Sequence, residues 1–388
     1  MTHTAAAYTD LIDSDEAGRH LGEQVRASFG GEAPDALIVF ASSRFDHTAL
    51  LTALSDSCHP KLMVGSSSAG EFTGQRRGEG TACALALRSE DIQASAGLGR
   101  GVSLDRTKAA RDVVAGFRGL GAREFPYRSA LVMTDALAGH ADDLIEELTI
   151  LTSGKYQFAG GGAGDDARFA QTHVFFGTEA VSDAVVALEL LSLKPLGIGV
   201  GHGWTPAGAS LRVTEAHGMR LMSLNGMPAV EAFEAHASAT GQQFDRAAPL
   251  PFFLHNILGI DTGSVHRLRV PLAVNEDGSV NCAAEIPSGA RVNIMKATAD
   301  SAVTAARQAT ASAVQALHGE KPGAALFFDC VATRLRMGEV FGFELESVAK
   351  MLGGADLVGC NTYGQIARAE GQFGGFHNCT AVVMVVPE

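Results

Sequence analysis

Apolar residues along the chain fall into short runs bounded by glycines and polar clusters, a pattern that predicts strands alternating with helices. Residues 36–42, ALIVFAS, are apolar at nearly every position and predict a buried strand, and 46–57 predict a helix. KLMVG at 61–65 predicts a second strand running into the loop GSSSAGEF, after which TACALALRS and DIQASAGLG predict a hairpin. The order is strand, helix, strand, glycine loop, two strands.

That order returns twice. ALVMTDA at 130–136, a helix over 140–152, YQFAG at 156–160, the loop GGGAGDD and the strands THVFFGT and DAVVALELL repeat it, and Ala36 to Gly65 is the same step as Ala130 to Ala159. On this alignment Ala69-Gly70-Glu71 matches Ala163-Gly164-Asp165. A third copy runs through ALFFDCV at 325–331, a helix over 339–352, ADLVG at 355–359, the loop GCNTYGQI and HNCTAVVMVV, with Gly65 and Gly70 as far apart as Gly359 and Gly364. The expected fold class is α/β, with mixed sheets built from three repeated strand-helix-strand-loop-hairpin units in two domains. Parallel strands need a right-handed helical crossover, and ligands settle where loops leave the carboxyl ends of such strands. The three glycine loops are therefore candidate walls of a site, although a turn at positive φ explains a glycine equally well.

Between the second and third copies GIGVGHGW carries glycine at 197, 199, 201 and 203. In a strand these lie on one face, bare enough to admit a closely packed helix, a ring or a ligand. Residues 225–241 predict a helix from Pro228 to Gly241, HRLRVPLAV, SVNCAAEI and ARVNIM predict strands, and 297–319 predict an amphipathic helix stopped by Gly319. At 388 residues the chain exceeds one ordinary core. The expected division is a leader with a helix at 1–28, a first domain at 29–222 and a second at 223–388.

A formal charge of -13 and no Lys/Arg cluster argue against nucleic acid and anionic membrane surfaces as partners. The start, MTHTAAAYTDLIDSDEAG, lacks a basic and then apolar leader, and no apolar run approaches the roughly 20 residues of a membrane helix, so the expected location is the cytoplasm. The 6 cysteines include no CxxC or CxxCH, which leaves no zinc knuckle or covalent haem attachment. Cys360 and Cys379 meet if the third loop pairs with the final strand.

These motifs resemble the FIST family of bacterial sensory proteins, with FIST N and FIST C domains in tandem. The resemblance rests on GSSSAGEF, on GGGAGDD with HVFF behind it, on GHGWTPAG followed by LRVTEAHG and NGMPAVEAF, on FFDCVATR, and on GCNTYGQI with FHNCT, in the family's order over residues 33–386. It implies an intracellular small-ligand sensor. Amino acids have been proposed as ligands, and some haem-binding members sense nitric oxide and regulate histidine kinases or cyclic-di-GMP enzymes. Two positions depart from the pattern: Gln365 stands where an acidic residue is usual, and Asp329 replaces a small polar residue.

The expected ligand pocket sits at the carboxyl ends of the strands, lined by Ser66, Ser67, Ser68, Glu71, Arg334, Cys360, Asn361, Thr362, Tyr363 and Gln365, with Arg334 gripping a carboxylate. If the ligand is haem, it is held non-covalently by one of His202, His217 or His377; His202 lies beside the glycine face, and none of the 13 histidines forms an HxH or HxxxH pair. The alternative is a hydrolase or thiol enzyme using the Ser66–Ser68 loop or Cys360. A serine elbow must open directly into a helix, however, and EFTGQRRGEG is a poor helix. Neither glycine run is a GxGxxG followed by a helix and a distant acid, so no dinucleotide site is expected.

Overall fold

The computed structural model describes residues 1–369 and 374–388. It is a mixed α/β structure whose three units are each longer at the front than the sequence pattern suggests. A strand and a helix precede each crossover: Thr2–Thr9 and Ser14–Ser28, then Ile92–Arg100 and Arg106–Ala115, then Gly197–Gly201 and Ala299–Gln315. The helices start where side chains take up free backbone N–H groups. Asp13 accepts from Glu16 N, Asp105 from Lys108 N, and Thr298 forms a reciprocal box with Ser301.

In each unit the crossover joins parallel strands, Ala36–Ser42 to Met63–Ser68, Tyr127–Thr134 to Gln157–Gly162, and Pro322–Cys330 to Asp356–Thr362. The unit's last strand, Ala82–Ser89, Ala184–Ser192 or Ala381–Pro387, runs antiparallel between the crossover and the leading strand. Ala82–Ser89 and Ile92–Arg100 therefore do not form a hairpin. The first completes one sheet and the second opens the next.

The true hairpins are short and are exchanged. Glu71–Thr73 with Arg77–Gly78 extends the third unit's sheet, Val174–Phe176 with Glu179–Val181 extends the first, and Gln365–Arg368 with Gly375–His377 extends the second. No unit completes its own sheet. The inner faces of all three sheets share one core, in which Phe40, Met133, Leu188, Phe328 and Met384 are 0% exposed and the Phe40 and Phe328 rings meet edge to face at 5.6 Å. Pairs of helices cover the outer faces.

The third unit is interrupted between its leading strand and helix by an insert, a 9-stranded sheet with its own core around Phe233, Phe253 and Leu258 and the helix Ala229–Thr240. The glycine face at 197–203 is filled. A Cβ at Gly197 or Gly199 would stand 1.8 Å from the carbonyl oxygen of Ala313 or Ala309, and one at Gly203 2.2 Å from that of Ser301. The helix Ala299–Gln315 lies directly on the strand, so of the readings open for that face the closely packed helix is the one found, and no room is left there for a ring. Among the described residues no helix is long and apolar enough to cross a membrane.

Candidate functional site

Gly65, Gly160 and Gly359 stand opposite Val39, Val132 and Phe327 in the three parallel pairs. A Cβ at any of them would lie 1.8, 1.9 or 2.0 Å from the partner's carbonyl oxygen, so each must be glycine for the strands to close. This register matches Gly65 to Gly160 rather than to Ala159. Ala69-Gly70-Glu71 accordingly matches Gly164-Asp165-Asp166, one residue later than the sequence spacing suggests.

Beyond these glycines the three loops bind one another. Ala69 N donates to Asn361 O at 3.0 Å, Gly164 N to Ser67 O at 2.9 Å, and Tyr363 N to Gly162 O at 2.9 Å. These are equivalent bonds around a pseudo-three-fold axis. The loops form a closed junction, and Ser66, Ser67, Ser68, Glu71, Cys360, Thr362 and Gln365 are all buried in it.

Glu71 and Gln365 occupy equivalent places. Glu71 accepts from Ser68 Oγ at 2.5 Å and from Thr81 N and Oγ1 at 3.2 and 2.7 Å. Gln365 donates to Thr362 Oγ1 at 2.8 Å and accepts from Thr380 N at 3.2 Å. The third unit thus keeps the network with an uncharged amide. Burial pushes the Glu71 carboxyl up to about 7, against the hydrogen bonds it accepts. In the second unit Asp166 instead reaches Ser42 Oγ and Ser43, while Asp165 caps Phe169, Ala170 and Gln171 and takes the Tyr363 hydroxyl.

Two cavities flank this junction. The larger, about 460 Å³, lies between the insert and the carboxyl ends of strands in the second and third units. Its core-side wall is Ala136, Leu137, Val331, Ala332 and Tyr363; the insert supplies His217, Met219, Val270, Leu272 and Cys282. Phe169 stacks on Tyr363 at 4.4 Å. Polar groups are few, chiefly Asn281, Asn378, Arg220 and the Tyr363 hydroxyl. The smaller, about 360 Å³, lies between the first unit's hairpin and the third unit, and is lined by Glu71, Arg77, Glu79, Arg334, Glu339 and Asn361 among others.

The structure therefore divides the expected pocket. Glu71, Arg334 and Asn361 come together at the smaller cavity and Tyr363 lines the larger, whereas Ser66, Ser67, Ser68, Cys360, Thr362 and Gln365 line neither. Met219, Val270, Leu272 and Cys282 had no signal in the sequence. They come from strands of the insert and the short connections between them, which read as ordinary structure.

The histidines are also separated. His217 lines the larger cavity, its Nε2 3.1 Å from Glu215. His202 donates from Nε2 to the His266 carbonyl at 3.0 Å, and burial lowers its pKa. His377 is 0% exposed, and burial with Arg267 and Arg269 nearby holds its ring far below the usual range. Of these three only His217 lines a cavity, with its side chain 70% exposed, and it is the one that would hold a haem iron there. Cys379 is hydrogen-bonded to Cys330 rather than placed against Cys360, whose thiol burial pushes far up.

The FIST N domain profile matches residues 35–227 and the FIST C domain profile residues 229–368. No curated protein matches the chain. Among solved structures, cyanuric acid hydrolase from A. caulinodans is similar at 8% identity and a TM-score of 0.34, over 100% of this chain and 99% of that one. PurLQS from Thermotoga maritima is similar at 11% identity and a TM-score of 0.24, over 100% of this chain and 73% of that one.

Proposed function

Since the chain belongs to the FIST family, whose domains bind small ligands in signalling proteins, we propose that the larger cavity is its sensory site. The observation that carries this reading is the double wall. One side is the closed three-loop junction and the other is the insert, so a ligand touching both stabilises one placement of the insert against the core. A ligand shifts an equilibrium only through contacts that differ between states, and a bridging ligand supplies them. The lining calls for an apolar body with one or two polar groups, which amino acids with apolar side chains satisfy. The readout is carried by the insert to a cytoplasmic signalling partner such as a histidine kinase or a cyclic-di-GMP enzyme.

Haem is the second reading, favoured by His217 on the same apolar wall. When bound there, haem supplies an iron that takes nitric oxide. His217 would hold it, and Met219, Val270 and Leu272 would exclude water.

The geometry gives the hydrolase or thiol alternative no support. Ser68 Oγ is committed to Glu71 and Ser67 Oγ to the His173 backbone, and both lie inside a strand rather than on an elbow before a helix.

The test is thermal stability with leucine, phenylalanine or haem, in the parent and in Ala283→Leu, which fills part of the cavity. A stabilising shift in the parent that the variant loses supports the site. No shift with any of the three sinks it.

A further inference from the structure

We propose that the smaller cavity is a second ligand site, for a small carboxylate anion, and that Glu79 is an internal carboxylate that competes for it. The cleft is formed by the hairpin Glu71–Thr73 with Arg77–Gly78 on one side and the helix Val331–Met337 on the other. Arg334 lies along it, its side chain 13% exposed, and pairs through Nη1 with Glu79, whose side chain is 74% exposed. The guanidinium is largely buried, whereas its partner stands mostly in solvent.

Two donors in the cleft are unused. Arg334 Nε and Asn361 Nδ2 are buried without a hydrogen-bond partner, and Asn361 as a whole is 1% exposed. Buried donors left unpaired cost stability, and such groups mark places where an acceptor belongs. Gly70 makes the arrangement possible. It sits at φ +128, and a Cβ there would lie 2.8 Å from Asn361 Oδ1 and 3.4 Å from Arg334 Nε.

A carboxylate from solution has the right form for these donors. Its two oxygens accept from Nε and Nη2, the pair on one edge of the guanidinium, in the bidentate geometry it prefers, and one of them can take Asn361 Nδ2 as well, while Glu79 on Nη1 competes through its charge. Glu79 satisfies Nη1 alone. The neighbouring acids do not oppose a single negative charge: Glu339 is paired with Arg77 at 3.0 Å, and Glu71 is turned to Ser68 and Thr81. If Glu79 swings out as the ligand enters, the charge of the cleft is unchanged. A phosphate brings a second charge beside Glu71, and the other cation lining the cleft, Arg77, is already paired with Glu339.

This site shares no lining residue with the apolar cavity, so the two proposals stand or fall separately. The experiment is calorimetric titration with acetate, propionate and inorganic phosphate of the full chain and of Glu79→Ala, Arg334→Ala, Arg334→Lys and Ala283→Leu. Acetate is expected to bind saturably and to bind Glu79→Ala about two- to five-fold more tightly, the size of competition that one exposed ion pair can exert. Arg334→Ala should lose binding, Arg334→Lys should weaken it, and Ala283→Leu should leave it unchanged. A purely structural ion pair gives no tightening when Glu79 is removed, and Glu79→Ala is exposed enough to fold even if Arg334→Ala does not. Equal affinity in the parent and Glu79→Ala overturns the competing role of Glu79. Binding of phosphate in place of acetate overturns the carboxylate assignment, and no binding of any probe to Glu79→Ala overturns the site.

Discussion

Replacing Glu71 by glutamine is expected to stabilise the protein at high pH and to leave it nearly unchanged at low pH. Burial raises this carboxyl from an ordinary 4.5 to about 7 in the fold, so the folded chain holds the proton more tightly than the unfolded chain. The stability that comes with the protonated group is full below about 4.5 and is lost as pH rises through about 7. At about 1.4 kcal/mol per pH unit, the gap corresponds to about 3 kcal/mol lost by pH 8. Glutamine carries no such cost, and Gln365 shows that an amide fits the equivalent network with a hydroxyl and a backbone N–H as partners. Urea unfolding of the parent and Glu71→Gln at pH 5 and pH 8 measures the effect. The stability difference should move in favour of the variant by about 2 to 3 kcal/mol between these values. A difference that stays constant would refute the reasoning, because Glu71 would then titrate alike in both states.

Gly199→Ala should lower stability by about 3 kcal/mol or more in the same assay, since its Cβ would enter the space of the Ala309 carbonyl, and a loss under about 1 kcal/mol contradicts the close approach described. Tyr363→Phe should cost about 1 to 2 kcal/mol by removing the hydroxyl from Asp165, whose three backbone donors remain; an unchanged unfolding midpoint would mean that this bond contributes nothing. Cys360 is 0% exposed with its thiol pushed far up, so iodoacetamide should label it only after unfolding, as peptide mass spectrometry would show.

The repeated crossovers were legible in the sequence because buried parallel strands are continuous apolar runs and their glycines recur at near-constant steps. The helices at Ala229–Thr240 and Ala299–Gln315 were legible for a similar reason, from Pro228, Gly241 and a periodic alanine stripe. The leading strand of the first unit was not, and its helix was expected only as part of a leader at 1–28, without its place in the unit. THTAAAYT carries too little hydrophobic contrast, and the helix Ser14–Ser28 buries a stripe of small residues, with Gly18 against the Leu50 carbonyl. The hairpin exchange is invisible for another reason. Strands of two to four residues pair with partners far along the chain, and no local pattern records that choice.

The site followed the same division. Arg334, Asn361 and Glu71 were found as a group because each stands at a strand's carboxyl end or just beyond it, where ligands are expected. The serines of GSSSAGEF were read as a polar loop, but Met63–Ser68 is a buried strand whose hydroxyls serve the junction between units. Half of the larger cavity is contributed by the insert. Its strands looked like ordinary structure until the chain was folded.

The chain's 1 tryptophan offers the most direct test of the sensory site. Trp204 is buried in a cluster with Val270, Cys330 and Ala332, all of which line the larger cavity. Its emission, excited selectively and followed during titration with leucine, phenylalanine or haem, reports occupancy from just behind the cavity wall. The account predicts that whichever probe raises the melting temperature also changes Trp204 emission with the same saturation curve, and that Ala283→Leu loses both. A probe that stabilises the protein while Trp204 stays silent, or that binds Ala283→Leu like the parent, would place the ligand elsewhere.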